Sequence, residues 1–296
     1  MGRELTFVVT PEEDGRQACQ VLRGRGGVSL RILNRVKRLP DGLLRNGDRV
    51  RTIDRVRAGD VLAVRLPEDA APPEEMPCAL EILYEDEDLL VLDKPAGLAM
   101  HPTHNHLSGT LANAVAAYLA GGTFRPVGRL DKGTSGVVVC AKNAYAASRL
   151  NGRVSKTYLA LVHGELRGSG TVNHPIYRPY PNRTLRACRP ARAEAQPGDE
   201  PAVTHWTALG SRDGITLLEL RLETGRTHQI RVHMAAQGAP LLGDDYYGAP
   251  PRPEGHQLLH CAKAHLTHPV TGAEMTWRAD LPADMAAIAD KIVNNV

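Results

Sequence analysis

Residues 126 to 143 read Pro-Val-Gly-Arg-Leu-Asp-Lys-Gly-Thr-Ser-Gly-Val-Val-Val-Cys-Ala-Lys-Asn, and the reading of this stretch decides the fold. Val137, Val138 and Val139 with Cys140 and Ala141 predict a buried strand, because β-branched side chains suit a pleated interior surface. Just ahead, Lys132, Gly133, Thr134, Ser135 and Gly136 all favour turns or caps. Arg129 and Asp131 stand one residue apart at the mouth of that strand, where a cleft would expose a carboxylate. Taken alone, an aspartate in such a turn more commonly accepts hydrogen bonds from the turn amides than does chemistry.

Working outward, the flanking segments form an α+β pattern of short strands with inserted helices. Leu80–Leu83 and Leu89–Leu92 predict two strands, and Gly109 to Ala120 a helix. Ala144 to Asn151 continues helically from the central strand. In Val154 to Gly164, alternation puts Lys156, Tyr158, Ala160 and Val162 on one face. Ile215–Leu222 is a strongly apolar strand. It leads to a helix over about 228–237, with Thr227 as N-cap and Gly238 as stop. In that helix His228 and Arg231 share one face.

Four motifs in this frame resemble one family. Arg129-Leu130-Asp131-x-x-Thr134-Ser135-Gly136 before a valine-rich strand resembles the signature of the RluA-type pseudouridine synthases, in which this aspartate is the nucleophile. VLDKPAGLAMHP (91–102) resembles the family's first motif, with Gly97 in a positive-φ turn stiffened by Pro95. Lys156-x-Tyr158 resembles the second, whose tyrosine lines the active site. TGRTHQIRVH (224–233) with GAPLLGDDYYG (238–248) resembles the third, and residues 258–282 resemble the closing hairpin strands. The likeness covers about residues 81 to 285. The family commonly has His where this chain has Gly128, a departure that bears on the target RNA and not on the chemistry.

Charge is unevenly placed in this chain of 296 residues with formal net charge +3. Residues 1–67 hold 14 Lys/Arg against 8 Asp/Glu, whereas residues 68–88 hold nine acids and no base. The first segment reads as a strand at Leu5–Val9, helices at Gln17–Leu22 and Leu30–Arg38, a hairpin turning at Asn46-Gly47, and a closing strand at Val61–Leu66. It resembles the alpha-L (S-four type) RNA-binding domain, which often precedes this catalytic domain. The resemblance implies that Arg31, Arg35, Lys37, Arg38 and Arg45 face phosphates, giving salt-sensitive affinity without sequence reading. Residues 68–80 are an acidic, proline-rich linker that would let this module move relative to a catalytic domain at 81–296. A second basic run carries Arg178, Arg183, Arg186, Arg189 and Arg192 without an acid. Its prolines forbid a continuous helix, so it reads as a mobile clamp on a polyanion or as a surface hairpin.

Several function classes are excluded or weakened. The five cysteines form no C-x-x-C pair, which speaks against a zinc knuckle or a disulfide framework and fits a reducing cytoplasm. No apolar run has membrane-spanning length, and no signal-like core opens the chain. His101, His104 and His106 lie in a Pro/Thr/Asn/Ser loop that offers little rigidity for a metal. No P-loop, Rossmann glycine pattern or Gly-x-Ser-x-Gly turn is present, so neither a metal nor a small-molecule cofactor is expected.

The resemblance therefore implies an isomerase that acts on uridines in structured ribosomal or transfer RNA, working as a monomer in the cytoplasm. It implies an α+β fold with a mainly antiparallel split sheet, flanking helices and a central cleft. Asp131 is the expected nucleophile, and Arg231 its partner, keeping it ionised and oriented. Tyr158 is expected to stack on the uracil and take the C5 proton, although an ordinary tyrosine is a poor base. Arg129 is expected to fill the space of an everted base. Thr134, Lys156, Arg226 and His228 are placed around the substrate. A non-catalytic RNA binder on the same scaffold and a hydrolase pairing Asp131 with a histidine are the rival readings.

Overall fold

The computed structural model describes residues 3–66, 79–102, 108–120, 123–190 and 196–293. Most of the expected linker lies outside them, as do His104, His106 and Arg192.

Residues 3–66 build their own sheet and core. β1 (Glu4–Val8), α1 (Ala18–Arg23), α2 (Leu30–Val36), β2 (Leu43–Arg45), β3 (Asp48–Arg49) and β4 (Val61–Arg65) follow in order. The strands pair antiparallel as β1-β4-β2-β3. Asn46 and Gly47 take φ of 53° and 91°, the consecutive left-handed pair that a tight hairpin requires. Ser29 caps α2 by accepting from the Ile32 amide. Val21, Leu22, Ile32, Leu33 and Val36 then close over Leu62 and Val64.

The second unit continues with β5 (Glu81–Glu85), β6 (Leu89–Lys94), α3 (Leu111–Tyr118), β7 (Arg125–Pro126), β8 (Ser135–Ala141), α4 (Ala144–Leu150), β9 (Ser155–His163) and β10 (Ser169–Asn173). After these come β11 (Ile176–Tyr177), β12 (Ala187–Cys188), β13 (Val203–Arg212), β14 (Ile215–Leu222), α5 (Gln229–Ala236), β15 (Leu259–Thr267), β16 (Glu274–Arg278) and α6 (Ala283–Val293). The main sheet runs β10-β13-β14-β9-β15-β8-β6-β5, with β7 on β8 and β16 on β15. Its strands pair antiparallel except β8 with β15, which run parallel for two residue pairs and then part, β16 taking over beside β15. The sheet is thus split at the strand that carries the central motif.

β8 is buried along all seven residues, as its valine run predicts. Gly136 explains the glycine of the motif: it pairs with Cys261, and a Cβ there would overlap the Cys261 backbone. Tyr158, Ala160 and Val162 share the buried face expected of β9. The basic run around Arg183 includes the β11–β12 hairpin, with Arg186 buried and Arg189 paired to Asp199 at 2.9 Å. Two of its arginines thus belong to the fold and are not loose clamp residues.

Candidate active site

The loop that presents Asp131 is fixed from several sides. Its carbonyl accepts from the Thr134 amide at 3.1 Å. The Thr134 hydroxyl accepts from Gln257 Nε2 at 3.0 Å, and Thr134 is buried. Thr134, expected beside the substrate, therefore holds the loop shut from inside. The neighbouring Ser135 hydroxyl bonds His260 Nδ1 at 2.9 Å, while His260 Nε2 donates to the Ala279 carbonyl at 3.1 Å. Lys94 ends β6 fully buried. Its ammonium donates to the carbonyls of Pro95 and Leu98 at 2.8 Å each and of Lys132 at 3.1 Å. One side chain thereby ties the Gly97 turn to the Asp131 loop, a second link being the Gly97 amide to Lys132 O at 2.9 Å. Burial lowers the Lys94 pKa to about 8, against the opposing pull of Asp131.

Opposite the loop stands α5. Its start differs from the expected cap: His228, not Thr227, is the N-cap and sits in the left-handed region at φ 58°. Gln229 Oε1 satisfies the entering chain by accepting from the Arg226 amide and the Thr224 hydroxyl. His228 thus precedes the helix, yet it faces the same Tyr247 ring as Arg231. Its Nδ1 contacts the Tyr247 hydroxyl at 2.8 Å, and Tyr247 accepts from the Arg186 amide at 3.0 Å.

Arg231 is the pivot of the site. Its side chain is 8% exposed and its Nη1 lies 3.5 Å from Asp131 Oδ2. The tighter partner is Asp244, wholly buried, which accepts from Nε and Nη2 at 2.7 Å each. Such a two-pronged pair fixes both position and plane of a guanidinium. The expected Arg231–Asp131 pair exists, but as the looser arm of an Asp131–Arg231–Asp244 triad. The rings of Tyr246 and Tyr247 flank the guanidinium at 5.7 and 5.2 Å. Asp244 escaped the sequence reading although it lies within GDDYYG, because nothing local marks which acid of that run turns inward.

Tyr158 lies on the floor, 7% exposed. Burial pushes its pKa well above the ordinary value, and the nearby Cys261 and Asp131 push it further. Lys156 reaches toward the Val127 carbonyl at 3.5 Å and faces the open side of Gly128, whose φ is 80°. Arg129 is exposed and makes no hydrogen bond or ion pair among the described residues. Arg226 is drawn aside to the Pro201 carbonyl at 3.1 Å and to Glu200 at 3.5 Å.

The basic residues of the N-terminal module are not at this site. Arg31, Arg35 and Arg38 line a shallow groove on α2 with Leu30 and Asn34. Lys37 bonds Asn34 at 2.8 Å, and Arg45 bonds the Arg55 carbonyl at 3.1 Å.

Asp131 itself is 21% exposed at its side chain, so a carboxylate oxygen meets solvent with a guanidinium behind it. That arrangement suits a nucleophile oriented by a guanidinium that is itself anchored elsewhere. Comparison with known proteins agrees with the geometry. The sequence model of the family described as RNA pseudouridylate synthase matches residues 88–236, which contain Lys94, Asp131, Tyr158 and Arg231. The uncharacterized RNA pseudouridine synthase YjbO of Bacillus subtilis is 37% identical over 90% of this chain and 95% of its own length. Ribosomal large subunit pseudouridine synthase D of Escherichia coli K12 is also 37% identical, over 80% of this chain and 78% of its own. Among solved structures, human RNA pseudouridylate synthase domain containing 4 shares the fold with a TM-score of 0.59 at 23% identity, over 72% of this chain and 93% of its own. The chain belongs to the RNA pseudouridylate synthase family and is an RNA pseudouridine synthase.

Proposed function

We propose that the chain isomerises uridines of ribosomal RNA to pseudouridine, with Asp131 as the nucleophile. The observation that carries this reading is the half-open Asp131 carboxylate held 3.5 Å from a buried Arg231 that Asp244 locks in place. The match to a relative named for the large ribosomal subunit supports ribosomal RNA as the substrate.

Isomerisation breaks the N1–C1′ bond, turns the uracil over and joins C5 to C1′. A proton leaves C5 and one is gained at N1, so no donor or acceptor of electrons is consumed. Asp131 serves as the carboxylate that engages the nucleotide. Arg231 aims it, and removal of the guanidinium would leave Asp244 as an unpaired buried charge. Tyr158 packs against the uracil and donates a hydrogen bond. Arg129 enters the space that the everted nucleotide leaves, since its planar guanidinium is free to stack. Lys156, Arg226 and His228 rim the pocket. The N-terminal module acts as an S-four type RNA-binding domain through Arg31, Arg35, Lys37, Arg38 and Arg45. Action as a monomer belongs to the same reading. The free thiols of Cys19, Cys140, Cys188 and Cys261 fit the reducing cytoplasm.

The test is tritium release from ribosomal RNA labelled at uracil C5. A synthase frees label while the RNA chain stays whole. A binder frees none, and a hydrolase would cut the chain.

A further inference from the structure

By sequence, Tyr145 belongs to α4 of the catalytic unit. In the fold it is 5% exposed within the core of the N-terminal module. Its ring meets Phe7 edge-on with centroids 6.4 Å apart, and its hydroxyl donates to the Gly26 carbonyl at 2.8 Å. One helical turn on, Arg149 lies against Gly27, where any Cβ would overlap its guanidinium. From the module's other end, Arg3 Nε and Nη2 donate to Asp88 at 3.2 and 3.0 Å. Asp88 is buried and is also held by Asn143 Nδ2 at 2.7 Å. An aromatic anchor inside the partner's core and a two-pronged ion pair describe a seated module.

The seat has a defined place. α4 follows the C-terminal end of β8, whereas Asp131 precedes its N-terminal end. Six residue steps separate Ser135 from Ala141, so the seat lies roughly 20 Å from the nucleophile loop at the usual strand rise. α2 starts just after the Gly27 contact, which brings its basic face to that same end. Arg125 stands there, opposite Ala141 in register. Its Nη1 donates to the Thr123 and Lys142 carbonyls at 3.2 and 3.1 Å, and burial followed by the charge of Arg35 lowers its pKa, in keeping with α2 ending near it.

We infer that Tyr145 docks the N-terminal module as a fixed arm, and that its α2 arginines seat the RNA backbone roughly 20 Å from the reacting uridine. The ligand in this inference rests on the proposed function. Tyr145 is a positioning residue that acts through Arg35 and its neighbours, because it sets where they stand and touches no RNA itself.

The experiment compares Tyr145→Ala, Arg35→Ala and the double variant in the full chain. Filter binding uses an RNA hairpin with single-stranded flanks and the same hairpin without them. Loss of the fixed geometry should weaken binding of the flanked hairpin about tenfold or more in Tyr145→Ala, and the trimmed hairpin by less than about twofold. Arg35→Ala should cost affinity in the native background and nothing further beside Tyr145→Ala. In Tyr145→Ala the kcat at saturating ribosomal RNA should stay within about twofold while KM rises. Tyr145→Phe, which keeps the ring against Phe7, should restore most of the affinity. Equal cost of Arg35→Ala in both backgrounds, or unchanged binding by Tyr145→Ala, would overturn the inference. Should Tyr145→Ala not fold, Arg3→Ala breaks the other contact and carries the same expectation. Binding is read without turnover, so an inactive native protein would sink the functional proposal and still leave the docking testable.

Discussion

Replacement of Asp244 tests the triad where it is most exposed to refutation. Asp244 has no exposed side-chain surface and makes two 2.7 Å bonds to a guanidinium that is itself 8% exposed. In Asp244→Ala, Arg231 keeps its charge but only the 3.5 Å contact to Asp131. Breaking a buried pair from one side costs about 3–5 kcal/mol. At roughly 2–4 °C per kcal/mol for a chain of this size, Tm should fall by roughly 6–20 °C. Freed from its anchor, the guanidinium would close on Asp131 and misplace it. Misplacement by an ångström costs about a hundredfold in kcat, with RNA affinity little changed. The combined Asp244→Ala/Arg231→Met variant leaves no unpaired charge, so it should be more stable than the sum of the singles by about 2–3 kcal/mol. Urea unfolding and tritium release read the two effects. Additivity within about 0.5 kcal/mol would refute the claim that these two side chains form one buried unit.

Further outcomes follow from the same geometry. Lys94 has a folded pKa of about 8 against an ordinary 10.5, so the folded protein binds fewer protons than the unfolded chain between those values. Stability measured by urea midpoint should therefore rise with pH across that window by about 3 kcal/mol, and Lys94→Met should not show the rise. Turnover should fall through the same pH, because a neutral amine has two hydrogens for three carbonyls. Gly136→Ala should cost about 2–4 kcal/mol from overlap with the Cys261 backbone added to strain at φ 104°. Gly97→Ala, at φ 85° in open space, should cost about 1–2 kcal/mol in the same thermal melts. Arg129→Ala should suppress eversion of the target uridine, read by a stacking-sensitive fluorophore beside it, with less than about tenfold loss of RNA affinity. Equal losses in both readouts would remove the stacking role.

The legible parts of this molecule are those that local chemistry dictates. The valine run of β8, the Asn46-Gly47 turn and the alternation in β9 each announce themselves within a few residues. Asp131 and Arg231 were legible through the motifs around them. Long-range choices were not. Asp244 pairs with Arg231 rather than pointing outward with Asp245, which only the folded Asp244–Tyr247 turn decides. Lys94 looks like any surface lysine until three carbonyls converge on it. The left-handed His228 displaced the expected cap because Gln229 supplied the missing acceptor. Tyr145 sits in a helix that reads as local, and its burial in another unit's core carries no signature in spacing. α6 has helical periodicity, but the closing-hairpin resemblance drew the reading only to the strands before it.

The most direct measurement of the central claim is pseudouridine formation by Asp131→Asn, assayed beside its RNA affinity. The side chain keeps its size and its place near Arg231 but loses the ionised oxygen. Turnover should vanish while binding stays within about twofold, since the phosphates are held elsewhere. Label release near the native rate would show that some other group does the chemistry and would contradict the account.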